Sequence, residues 1–89
     1  MEQRQVELKE ALAFAKNNGY VFAVYEKKDD NYVLFNECYL SDIDEHTPII
    51  VENILYGTDF NEFTTVDGNY CFRLHNNFNV PKIIPIIKR

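Results

Sequence analysis

Four residues in this 89-residue chain carry side chains suited to nucleophilic or soft-metal chemistry: Cys38, His46, Cys71 and His75. Nucleophilic catalysis needs a thiol or hydroxyl within hydrogen-bond reach of a base. Cys71 and His75 stand four apart in a strand-like run, about 13 Å if extended, which is too far. A cross-strand meeting of Cys38 with His75 is left open. A structural zinc site favours closely spaced Cys or His pairs. Here no Cys-x2-Cys exists, and the two histidines lie 29 positions apart. Three glycines, Gly19, Gly57 and Gly68, match no phosphate-loop spacing. No catalytic residue, metal ligand or cofactor is assigned on this basis. With no secretory signal in the polar N-terminus, both cysteines are read as reduced thiols acting as small hydrophobes in a cytoplasmic protein.

The carboxylates form a pattern of their own. The net charge is −5, but residues 29–72 hold ten Asp and Glu and no Lys or Arg. Residues 73–89 reverse this, with Arg73, Lys82, Lys88 and Arg89 and no acid. The plainest meaning of an acidic zone is a solvated face that keeps a small domain soluble. A sharper meaning is a field that steers a basic partner and raises the on-rate of association. The densest cluster, Asp42-Ile43-Asp44-Glu45, lacks the ligand spacing of a calcium loop. Direct nucleic-acid binding is disfavoured, because this zone repels phosphate.

The elements that must carry these charges are legible in part. Residues 2–18 contain neither Gly nor Pro, and Leu8, Ala11, Leu12 and Ala15 recur at helical spacing. Asn17-Asn18-Gly19 is a helix stop. Tyr20–Tyr25 and Tyr32–Leu40 read as strands joined by the polar turn Lys27–Asn31. Thr47-Pro48 before an apolar run, with Gly57 after it, has the signature of a short helix over 48–56. The β-branched run Ile49-Ile50-Val51 argues for a strand instead. Phe60–Val66 and Tyr70–His75 flank Asp67-Gly68-Asn69, a strong hairpin cue. In the second of these, Tyr70, Phe72 and Leu74 form a core face, and Cys71, Arg73 and His75 an at least partly exposed one. Pro81 and Pro85 confine the apolar tail to an extended edge segment or a packed tail.

The expectation is a single α+β domain over residues 1–89. An N-terminal helix packs on an antiparallel sheet of about four strands, with a short helix between two β-hairpins. The expected function is a small acidic non-enzymatic protein-binding module, an inhibitor that occupies a basic surface of a larger protein. That partner would be a nucleic-acid-binding protein or nuclease, and the module a nucleic-acid mimic. The contact residues are Asp29, Asp30, Glu37, Asp42, Asp44, Glu45, Asp59 and Glu62, with Tyr39, Tyr56 and Phe60 as aromatic anchors. In general style the chain resembles phage-encoded anti-defence and host-takeover proteins, which are short, acidic and α+β. That resemblance implies action in a host cytoplasm and carries no residue roles. The alternatives are a small metal-dependent enzyme using Asp42, Asp44, Glu45 and His46, or a structural subunit assembling through its apolar tail. No membrane is expected, and the protein is a monomer or small homo-oligomer.

Overall fold

The computed structural model describes residues 2–35, 39–40, 43–55, 57–75 and 86–87. Its frame is a six-stranded antiparallel sheet crossed on one face by one helix. The strands are β1 (Gln3–Glu7), β2 (Val21–Lys28), β3 (Asn31–Leu34), β5 (Pro48–Ile54), β6 (Gly57–Thr65) and β7 (Tyr70–His75). They lie in the order β1-β5-β6-β7-β2-β3. The helix, α1 (Leu8–Asn18), leaves one edge strand and delivers the chain to β2, four strands away. Two short strands, β4 (Tyr39–Leu40) and β8 (Ile86–Ile87), pair in parallel as a separate sheet.

The α+β class is as expected, but among the described residues the sheet is larger and the helices fewer. Residues 48–54 form the strand β5, not a short helix. Ile49-Ile50-Val51 lose side-chain freedom in a helix and pack well in a pleat. Pro48 sits at the first position of the strand, where a missing N–H is tolerated. The second departure is β1. Residues 3–7 pair with β5 in register, from Gln3 opposite Glu52 to Glu7 opposite Pro48. The helix therefore starts at Leu8. Its first amides are satisfied from across the molecule, Leu8 N–H donating to Thr47 O at 2.9 Å and Lys9 N–H to Glu45 O at 2.8 Å. Gly19 ends it in the left-handed conformation, φ 71°.

The core lies between α1 and the sheet. Leu8, Ala11 and Ala15 face Phe22, Val24, Ile49, Val51, Phe63 and Phe72, all buried. Phe63 and Phe72 stack at 5.0 Å, and Phe22 meets both edge-on at 5.2 and 6.0 Å. β6 reaches this core through an irregularity. Its register against β5 shifts so that residues 60–63 stand opposite Val51 alone. Phe60 and Phe63, three apart, thereby turn to the same side.

Truncating the centre of this packing tests it. Phe72→Ala should cost about 3–5 kcal/mol, most of the stability of so small a domain. Leu55, 87% exposed between β5 and β6, should tolerate Ala within about 0.5 kcal/mol. Urea unfolding of the two variants gives the comparison; equal losses would contradict the packing described.

Candidate functional site

Strand direction decides where the acids go. β1, β2 and β6 run one way, and β3, β5 and β7 the other. One end of the sheet therefore gathers the β2–β3 turn, the β6–β7 turn, the loop entering β5 and the start of α1. Asp29 and Asp30 form the first turn, Asp67 lies in the second, and Asp44 and Glu45 in the loop. The two turns lie about 10 Å apart laterally, two strand spacings. Among the described residues no Lys or Arg lies within 4 Å of Asp29, Asp30, Asp44 or Asp67.

These loops are built rather than loose. Asp29 takes the left-handed conformation, φ 56°, which Asp tolerates better than most residues. The Tyr32 hydroxyl donates to Gly68 O at 2.8 Å, and Lys27 N–H donates to Asn69 O at 2.8 Å. These bonds tie the β2–β3 hairpin to the β6–β7 turn. Within that turn the Thr65 hydroxyl donates to Asp67 Oδ1 at 2.6 Å and accepts from Tyr70 N–H at 3.2 Å. Asn69 N–H also donates to Asp67 Oδ1, at 2.9 Å. The Thr65 hydroxyl, followed by the Asn69 amide, holds the Asp67 carboxyl below its usual range. In the third loop Asp44 Oδ1 accepts from His46 N–H at 2.8 Å, and Asp44 N–H donates to the Thr47 hydroxyl at 2.8 Å. His46 Nδ1 lies 2.6 Å from Glu7 Oε2, and Lys9 Nζ 3.6 Å from the same oxygen. His46 is the leading cause of the lowered Glu7 carboxyl. Loop, β1 and α1 are thus pinned at one point.

The remaining acids lie elsewhere. Asp59 and Glu62 are on β6, where strand alternation directs them to the face away from α1. Glu62 pairs with Arg73 at 3.4 Å, and Arg73 also lies 5.1 Å above the Tyr25 ring. The expected contact residues therefore divide into an end rim (Asp29, Asp30, Asp44, Glu45) and the sheet face away from α1 (Asp59, Glu62). Phe60 is not an exposed anchor. It is 9% exposed, with its ring against Phe14 at 5.3 Å and Phe63 at 6.3 Å. Tyr39 lies in β4. Glu37, Asp42 and Tyr56 lie outside the described residues.

The sites of covalent and metal chemistry resolve differently. Cys71 is 4% exposed, so it is buried rather than part of an exposed face. Burial first, then Glu62, pushes its thiol up, the direction of low reactivity. Cys38 lies outside the described residues. Among those residues no three His, Cys, Asp or Glu converge on a point that would hold a metal. No helix among them is long and apolar enough to cross a membrane. Sequence reading missed Thr65 and Asp67 as organisers of the rim. The signal was present, since Asp at the head of an Asp-Gly turn commonly accepts from the amide two residues on.

Comparison with protein-family models, curated proteins and solved structures returned no match.

Thr65 is 2% exposed, so its hydroxyl cannot be replaced by water. Thr65→Val should cost about 1–3 kcal/mol, because the Tyr70 amide loses its acceptor. The Asp67 carboxyl should then titrate closer to the usual Asp value, which NMR would follow directly. A folded pKa below the unfolded one adds stability at neutral pH, and that stability is lost as pH falls through the folded value. The advantage of the native protein over Asp67→Asn should therefore be constant at neutral pH and shrink below about pH 4. A pH-independent difference would contradict the assigned bond.

Proposed function

We propose that this protein is a small acidic binding module that occupies a basic surface of a larger protein and works without catalysis. The observation that carries this reading is the end rim. Asp29, Asp30, Asp44 and Asp67 are exposed and lack a Lys or Arg partner among the described residues; the turns of Asp29, Asp30 and Asp67 are tied to each other by hydrogen bonds, and the loop of Asp44 to β1 and α1. Held apart on a rigid sheet end, such carboxylates repel one another and gain when cations arrive. Little ordering entropy is then lost on binding. The partner of this reading is a protein with a basic groove, of the kind that nucleic-acid-binding proteins and nucleases carry for phosphate. An inhibitor would act by filling that groove. The style shared with phage anti-defence proteins extends the proposal to a host cytoplasm.

Neither alternative gains a specific observation. Asp44 and His46 already bond to their own loop and to Glu7. In the tail, Ile86–Ile87 pair with β4 of the same chain.

Neutralisation is a cleaner test than charge reversal, because Asn keeps the oxygen that accepts the turn bonds. The variant Asp29→Asn/Asp30→Asn/Asp44→Asn should melt close to the native temperature. Its affinity for a partner captured from a host lysate should fall about 10- to 100-fold at low salt. The native affinity itself should drop steeply as salt rises. An affinity unmoved by both the substitutions and salt would overturn the reading.

A further inference from the structure

Between the two acidic turns the sheet end is hollow. A cavity of about 250 Å³ opens there, lined by Glu26, Lys27, Ile43, Asp67, Asn69 and Tyr70. Ile43 and Tyr70, both buried, lie at its base, and most of its exposed lining is polar. Glu26 stands directly across the ladder from Tyr70, so its carboxylate borders the cavity on the β2 side. Asp67 borders it from the β6–β7 turn. The two bonds that orient Asp67 both end on Oδ1, and the Asn69 side chain, which also lines the cavity, acts on the same carboxylate. Lys27 joins the wall beside Asn69, to which its backbone is bonded, but strand alternation sends its side chain toward Tyr32 on the opposite face. The lysine that does engage the wall is Lys28, whose exposed amine lies 2.8 Å from the partly buried Glu26. Such pairs exchange readily.

We infer that this cavity receives one arginine side chain of the basic partner, its guanidinium bridging Asp67 and Glu26 and its stem lying on Tyr70 and Ile43. The inference rests on the reading of the rim as a protein-binding surface and names the side chain that the rim captures. Arginine suits the walls better than lysine. Its planar fork can donate to two separated carboxylates at once, and its weak hydration lowers the cost of leaving bulk water for the cavity. The flanking Asp29, Asp30 and Asp44 add field without occupying the cavity. Lys28 acts as a resident competitor, which the incoming guanidinium displaces from Glu26.

The test needs no macromolecular partner. N-acetyl-arginine amide is titrated into the isotope-labelled protein, with the neutral citrulline analogue as control. Saturable shifts are expected at the Asn69 and Tyr70 amides with arginine and not with citrulline. Asp67→Asn should weaken binding about tenfold, the loss of one charge-assisted bond. Lys28→Met should strengthen it about two- to fivefold, because Glu26 is released. Shifts that never saturate, equal binding of citrulline, or indifference to Asp67→Asn would overturn the inference. Failure here leaves the salt-dependent rim standing. Intact arginine binding with a rim insensitive to neutralisation removes the broader reading instead.

Discussion

The structure depends on the contact of Phe22, Phe63 and Phe72 across three adjacent strands. β7 is where the two parts of the chain meet. On one side it pairs with β6, ending the β5–β6–β7 meander; on the other it pairs with β2, which begins the β2–β3 hairpin. The stacked rings of Phe63 and Phe72, closed by Phe22, fasten that junction beneath the helix. Aromatic contacts of this kind add to the burial of their area. Without them the hairpin and the meander would be aligned by backbone pairing and a few peripheral contacts, such as Tyr32 to Gly68 and Arg73 over Tyr25. The acidic turns would then lose their fixed spacing, which gives the rim its meaning.

A second constraint acts at the opposite edge. The loop entering β5 caps the first turn of α1 through Thr47 O and Glu45 O, while His46 and Glu7 join beside it. Helix N-termini favour negative charge, and Glu7 and Glu10 both lie there, Glu10 accepting from Glu7 N–H at 3.3 Å. The same contacts fix Asp44 on the rim. Fold stability and charge display therefore share residues in this loop, whereas Asp29 and Asp30 at the other edge serve display with little structural load.

The parts legible in the sequence were those with local chemistry. Asp67-Gly68-Asn69 and Lys27–Asn31 announced their turns, because such residues suit turn conformations on their own account. The stripe of Leu8, Ala11 and Ala15 announced the helix and its buried side. What was not legible depends on distant partners. Gln3–Glu7 has no strand character alone and becomes a strand because Pro48–Glu52 offers it an edge. For residues 48–54 two local signals conflicted, and the β-branched run prevailed once it had neighbours on both sides. Phe60 was misread because its direction depends on the register shift in β6, which no alternation pattern reveals. For the rim, the acids were readable as a list. Their division between one end of the sheet and its face away from α1 follows from strand order, which only the pairing supplies.

In the proposed function the turn end of the sheet is the surface that meets a partner. Hydrogen exchange of the protein, free and saturated with its captured partner, tests this most directly. New protection is expected at residues 28–31, 44–47 and 66–69, with the outer face of α1 and the β1 edge unchanged. Protection confined to α1 or β1, with those three turns exchanging as in the free protein, would contradict it.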